Sequence, residues 1–272
     1  MCVPAREEAA TIAAVVAPLV ALRDAGVVEQ VVVLDDDSLD GTGSIAARVG
    51  ADVVRPADLL SQFGPVLGKG DAMWRALSVL LGDLVCFVDA DSEDFGAHFA
   101  LGLLGPLVCV PGVQFVKGFY RRPFKNGGAA VAPTGGGRVP ELTARPLLAA
   151  FYPELAPIRQ PLAGEFAARR ELLEQMAFCT GYAVEMGLLL DVWAHAGSDA
   201  LAQVDLDSRQ NRHQRLEELT PMASAVIGAV TSRLRREGRL AGEVDGEPAL
   251  ERPPLAQLRP PLAQLRALRA GC

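Results

Sequence analysis

The run Leu84-Val85-Cys86-Phe87-Val88 ends abruptly in Asp89-Ala90-Asp91, and this junction constrains the fold more than any other stretch of the chain. Uninterrupted apolar residues rich in β-formers predict a buried strand. Side chains two apart on an extended backbone point the same way. Asp89 and Asp91 therefore face one ligand at the carboxyl end of a sheet, where open α/β folds place their sites. Two hard oxygen donors near a diphosphate make a seat for Mg²⁺ or Mn²⁺. An Asp-rich turn after a strand gives the same pattern, so the rest of the chain has to decide between them.

The first half alternates strand and helix signals. Helical spacing covers 7–22, a strand 27–34, a helix 42–49, a short strand 51–55, a helix 71–81 and the strand 84–88. This alternation predicts a mostly parallel α/β sheet wound on both faces. Beyond it the pattern predicts a strand over 112–120, a glycine-rich loop over 127–137 and helices over 146–151, 165–176 and 184–196. A strand over 200–206, a polar loop and a helix over 216–235 follow. Met1-Cys2-Val3-Pro4 leaves almost no residues for a strand before the first helix, so the sheet is expected to lack one there. Pro253-Pro254-Leu255-Ala256-Gln257-Leu258-Arg259 is repeated at once as Pro260 to Arg266. That proline-rich duplication predicts an extension rather than part of a packed core.

Composition excludes several roles. At 272 residues, half of them hydrophobic, the chain has material for a sizeable core, and its formal charge of −7 gives no basic field for a nucleic acid. No apolar run approaches membrane-spanning length. Five scattered cysteines without metal spacing (Cys2, Cys86, Cys109, Cys179, Cys272) fit a reducing cytoplasm.

Several further segments carry charge to loop positions. Glu7 and Glu8 follow Pro4 at the start of the first helix, and Asp35-Asp36-Asp37 end a strand. Gly68-Lys69-Gly70 places a cation and exposed amides before a helix, a diphosphate contact. Gly135-Gly136-Gly137 lets the backbone approach an anion closely, and Arg138 behind it is able to clamp a phosphate or carboxylate bidentately. Arg209-Gln210-Asn211-Arg212-His213 concentrates cations around an imidazole.

The order of seven motifs resembles a known family. These are Pro-Ala-x-Glu-Glu, Leu-Asp-x-x-Ser-x-Asp-x-Thr, Gly-Lys-Gly-x-Ala-x-Trp, Phe-Val-Asp-x-Asp, Val-Lys-x-Phe-Tyr-Arg-Arg-Pro, Gly-Gly-Gly-Arg-Val-x-Glu-Leu and Gly-Tyr-x-Val-Glu-x-Gly-Leu-Leu. Together they are similar to the glucosyl-3-phosphoglycerate synthases and to the related mannosyl enzymes of the same glycosyltransferase family. The resemblance covers residue 3 to about 236, and extends to Glu251-Arg252-Pro253-Pro254.

It implies a GT-A fold over 1–240, with a nucleotide-sugar half at about 1–110 and an acceptor half at about 111–240, followed by a Pro/Leu/Arg-rich extension over 241–272. It implies a retaining, Mg²⁺- or Mn²⁺-dependent transfer of glucose from an NDP-glucose, UDP-glucose first, to 3-phosphoglycerate by a cytoplasmic homodimer. Mannosyl transfer from GDP-mannose and a weakened sugar-nucleotide-binding protein are the alternatives. By position, Pro4, Glu7, Asp36, Lys69, Asp89 and Arg209 contact the sugar nucleotide, and Asp91 ligates the metal. Gly137 and Arg138 bind the acceptor, and Glu185 lies near the donor sugar, so Asp91, Glu185 and Arg138 carry the chemistry.

Two departures bear on activity. The family's last motif reads Arg-x-His-Arg-Asn, whereas here Asn211 and His213 are exchanged. The expectation is that Asn211 fills the metal-side position and His213 contacts the acceptor phosphate, with the reverse assignment of the metal to His213 left open. Pro140 stands where the family carries an acceptor-bonding threonine, and proline offers neither a hydroxyl nor an amide hydrogen.

Overall fold

The computed structural model describes residues 1–122, 124–125, 131–132, 137–209, 216–242 and 249–258. Among them the strands are β1 (Cys2–Ala5), β2 (Val32–Asp35), β3 (Asp52–Val54), β4 (Leu84–Phe87), β5 (Phe115–Arg121), β6 (Phe124–Lys125), β7 (Val131–Ala132), β8 (Phe166–Arg169), β9 (Phe178–Cys179), β10 (Leu201–Ser208) and β11 (Glu251–Arg252). The α-helices are α1 (Ile12–Asp24), α2 (Thr42–Val49), α3 (Lys69–Ala76), α4 (Ala97–Cys109), α5 (Arg145–Phe151), α6 (Arg170–Gln175), α7 (Val184–Ala196) and α8 (Leu216–Arg236).

Seven strands form one sheet in the order β10-β5-β8-β4-β1-β2-β3. Every neighbouring pair is parallel except those of β8, which runs antiparallel to β4 and β5. Helices cover both faces, and the strands alternate between the two cores accordingly. Val33, Cys86 and Val88 face the α1–α2–α4 side, whereas Val32, Leu34, Val85 and Phe87 face the α3–α6–α7 side. Burial on both faces explains why these strands read as continuous apolar runs rather than as alternating ones. A third core joins α5, α7 and α8.

Three expectations are corrected here. The sheet does not lack a first strand: β1 lies between β4 and β2, and the Met1 ammonium donates to the Gln30 carbonyl at 2.8 Å. Four residues are too few for a periodicity signal, and this strand is held by its neighbours rather than by local propensity. Residues 165–176 are not one helix, since Phe166–Arg169 is a strand and only Arg170–Gln175 is helical. Glu, Ala and Arg favour helix, yet Phe166 sits between Phe87 and Phe115 across the two flanking strands, with ring centroids 5.2 Å from each. Such cross-strand aromatic packing outweighs a propensity of tenths of a kcal/mol. Finally, residues 249–258 pack on the domain: β11 pairs with β9, and Leu255 is buried in the core. The second copy of the repeat lies outside the described residues. Helix α4 had no counterpart in the sequence pattern, because Gly102, Gly105 and Pro106 interrupt it and its apolar residues encircle it.

One buried lysine gives the fold a pH dependence. Lys117 on β5 is 1% exposed and donates to the Ala163 carbonyl at 2.6 Å. Burial pushes its ammonium down to about 8, against the opposing pull of Glu185 and Glu165. The unfolded chain, with an ordinary lysine pKa of about 10.4, binds more protons than the folded one between about pH 8 and 10, so this residue makes stability rise with pH across that window. The unfolding free energy of wild type relative to Lys117→Met is expected to shift in favour of wild type between about pH 7 and 9.5 in urea titrations. A pH-independent difference contradicts this.

Candidate active site

The carboxyl ends of β1, β2 and β4 open into a cleft of about 500 Å³ whose far wall is the segment 137–140 with α7 and α8. Pro4, Asp36, Lys69, Asp89, Asp91, Gly137, Arg138 and Glu185 all line it. Residues scattered over 180 positions thus converge because the parallel strands end on one edge of the sheet.

Lys69 is the first residue of α3, introduced by Gly68 at a φ of 82°, a conformation open to glycine. Its ammonium bridges Asp89 at 2.5 Å and Glu185 at 2.7 Å. Burial alone would lower its pKa, but the two carboxylates outweigh that and hold it well above the usual lysine range. Lys69 is therefore cationic at any physiological pH. Asp89 also accepts from Arg209 at 3.1 Å. Burial opposes its ionisation, yet Lys69 and Arg209 keep it well below the usual carboxylate range. Gly164 lies directly under it, where a Cβ would overlap the Asp89 carboxylate.

Beneath this layer sits Arg209, 1% exposed. Its guanidinium reaches Asp89, Asp91, Glu165 at 2.5 Å and the Tyr120 hydroxyl at 2.8 Å. Tyr120 in turn donates to Glu165 at 2.8 Å. Burial drives Glu165 upward, opposed first by Arg209. Arg209, expected as a nucleotide contact, is thus placed directly behind the cleft-lining carboxylates Asp89 and Asp91 rather than among the lining residues.

Glu7 also differs from expectation. Its backbone is left-handed at a φ of 57°, and its carboxylate accepts from the Leu39 amide at 2.6 Å. It faces the 37–40 loop, and Glu8 lines the cleft instead. Asn211 and His213, the two candidates for completing a metal site, lie outside the described residues, as do Gly135 and Gly136. Pro140 lines the cleft where it was expected to face the acceptor.

Two residues escaped the sequence reading. Arg122 lines the cleft and donates to the Tyr120 hydroxyl at 2.7 Å, and its side chain lies beside Gly137. Strand alternation was the available signal: Arg122, the residue just after β5, lies on the same side as Tyr120, while Arg121 turns out to solvent and pairs with Asp207. Glu165 escaped because its segment was read as helix.

Among the described residues no three His, Cys, Asp or Glu side chains converge as a metal cage. Asp91, one-third exposed on the cleft, is nonetheless a hard oxygen donor of the kind Mg²⁺ and Mn²⁺ take. Those ions are commonly held by one or two carboxylates with substrate phosphates completing the shell. The donor set fits that mode.

Comparison with known proteins gives the family. Residues 1–100 match the family model described as "Glycosyl transferase family 2". The glucosyl-3-phosphoglycerate synthase of Mycolicibacterium smegmatis is 46% identical over 230 residues, covering 85% of this chain and 75% of that protein. The chain spans 65% of the length of the Petrotoga mobilis relative of the same name, at 45% identity. A mannosyl-3-phosphoglycerate synthase structure from Rubrobacter xylanophilus superposes with a TM-score of 0.86 at 45% identity, covering 94% of this chain and 89% of that one. The glucosyl-3-phosphoglycerate synthase of Mycobacterium tuberculosis, solved with Mn²⁺, UDP and glucosyl-3-phosphoglycerate, superposes with a TM-score of 0.83 at 40% identity, covering 95% and 90%. The chain belongs to the glucosyl-3-phosphoglycerate synthase family of GT-A glycosyltransferases.

Proposed function

We propose that this protein transfers glucose from an NDP-glucose, UDP-glucose first, to 3-phosphoglycerate with retention of the anomeric configuration. The observation that carries the reading is the convergence of two charged groups on one cleft. In the first, the Lys69 ammonium is braced by Asp89 and Glu185 beside the Asp91 carboxylate. In the second, Arg122 and Arg138 flank Gly137. The first holds more carboxylate than cation, so a diphosphate matches it together with a divalent cation on Asp91, and an acceptor carrying phosphate and carboxylate matches the second.

The chain's own groups then have definite tasks. Lys69 donates to the diphosphate oxygens and remains charged throughout. Asp91 would hold Mg²⁺ or Mn²⁺, which supplies Lewis-acid neutralisation of the charge on the departing diphosphate. Arg138 and Arg122 grip the acceptor anions and bring its hydroxyl to the anomeric carbon, a positioning effect. Glu185 is 6% exposed and tied to Lys69, which suits it to orient a sugar hydroxyl rather than to attack as a nucleophile. With no such nucleophile placed among the described residues, attack proceeds on the face the diphosphate leaves, and the leaving oxygen takes the acceptor proton. From the family resemblance we further propose a homodimer, and from the chain's own residues a reducing cytoplasm: Cys2, Cys86, Cys109 and Cys179 are unpaired thiols, and among the described residues no helix is long and apolar enough to cross a membrane.

Mannosyl transfer is the second reading, favoured by the 45% identity to the Rubrobacter enzyme. Supplying UDP-glucose and GDP-mannose separately with 3-phosphoglycerate, and reading the product's anomeric proton by NMR, tests both. An α-glucosyl product supports the first reading, an α-mannosyl product the second, and a β-linked product refutes retention. Gly164→Ala tests the floor of the site. Its methyl would push an Asp89 that Lys69 and Arg209 hold on both sides, so kcat/KM is expected to fall about 10²-fold with the circular dichroism spectrum unchanged.

A further inference from the structure

Lys69 and Glu185 come from two elements, α3 and α7, that have no connection in sequence. The start of α3 packs on the 179–184 segment that leads into α7 with almost no side-chain padding. A Cβ on Gly68 would lie 3.1 Å from the Gly181 Cα, and one on Gly70 would overlap the Cys179 carbonyl oxygen. Such a joint is held by backbone fit, and it needs something to keep it shut.

The carboxy-terminal segment lies across the back of this joint. On one side β11 adds to β9, with Glu251 opposite Cys179 and Arg252 opposite Phe178, and the Thr180 amide donates to the Leu250 carbonyl at 2.8 Å. That fixes the backbone immediately before Gly181 and Glu185. On the other side Arg252 bonds both oxygens of Asp71 at 2.8 Å each. Asp71 is fully buried in the first turn of α3 and accepts from the Leu67 amide at 2.8 Å, two residues before Lys69. The Trp74 indole donates to the Pro253 carbonyl at 2.9 Å, one turn further along α3.

We infer that Arg252 is a positioning residue for the donor end of the cleft: through Asp71 it sets the backbone that carries Lys69, while its own strand sets the backbone that carries Glu185. This rests on the functional reading above. Arg252 touches no cleft group, so its removal loosens the Lys69–Glu185 bridge and leaves Arg122 and Arg138 in place.

The test is Arg252→Ala in the full chain, alone and with Arg259→Ala, because Arg259-Pro260-Pro261-Leu262 repeats Arg252-Pro253-Pro254-Leu255. UDP with Mg²⁺ is the calorimetric probe, beside steady-state kinetics. The expected result is a rise of about fivefold or more in the UDP Kd and in the donor KM, with the acceptor KM and kcat within about twofold of wild type. Arg252→Lys is expected to restore little, since one ammonium does not reproduce the bidentate contact with Asp71. Trp74→Phe, which keeps a ring but loses the bond to Pro253, is expected to shift the same two quantities in the same direction and decides the matter should Arg252→Ala fail to fold. A loss of thermal stability with the UDP Kd and donor KM unchanged, or donor and acceptor KM rising together, overturns the inference. If wild type binds UDP but transfers nothing, the functional reading fails and the UDP Kd still scores Arg252.

Discussion

Arg209→Ala is expected to destabilise the protein by about 3–5 kcal/mol, the cost of removing one member from a buried ion network. For a domain of this size that lowers the unfolding midpoint by roughly 6–20 °C. The reason is arithmetic of charge: Asp89, Asp91 and Glu165 all converge on one guanidinium, and Glu165 is itself 1% exposed. Without Arg209 they repel one another in a medium where water screens little. Lysine does not replace it, since a single ammonium lacks the planar set of donors that reaches three carboxylates and a tyrosine hydroxyl together. Glu165→Gln introduced alongside is expected to recover part of the loss, because it removes one of the stranded charges. Thermal unfolding of the two single variants and the double variant measures the coupling. Additive losses contradict the network.

Asp91→Asn is expected to do the opposite: little to stability, much to turnover. The amide keeps the shape of the carboxylate, and Asp91 is partly exposed, so the midpoint should stay within a few degrees. What disappears is a full negative charge and a hard anionic oxygen on the cleft. A loss of about 10²–10³-fold in kcat is expected, the scale seen when one group that stabilises developing charge is removed. The two variants therefore separate the layers of the site. One sits beneath the cleft and governs folding, the other lines it and governs chemistry. If Asp91→Asn retains near wild-type kcat, the metal is not held there.

The contrast between these residues also shows where reading the chain from sequence succeeds and where it stops. The strand that ends in Asp89-Ala90-Asp91 was legible because five apolar residues and two spaced carboxylates are a local pattern. Gly68-Lys69-Gly70 was legible as a helix entrance because glycine takes the positive φ that a start of this kind demands. Arg209 was visible as a cation after a strand, but its direction was not: whether it points up at a ligand or down at Glu165 depends on β8, an element that local propensity misassigned. Arg122 stayed hidden beside an equally basic neighbour until the register of β5 was known. The first strand and the carboxy-terminal strand failed for one reason. Each is short, and each is held by partners far away in sequence, β1 by β2 and β4, β11 by β9. Neither leaves a periodic trace in its own residues.

The central claim, that the cleft couples a diphosphate-and-metal end to an acceptor end, is tested most directly by nucleoside diphosphate release. The protein is incubated with UDP-glucose and Mg²⁺ or Mn²⁺, with and without 3-phosphoglycerate, and UDP is quantified over time. The account predicts UDP release that requires both the metal and the acceptor, with one glucosyl-3-phosphoglycerate formed for each UDP. Equal release with and without 3-phosphoglycerate, or none with any nucleotide sugar, would contradict it.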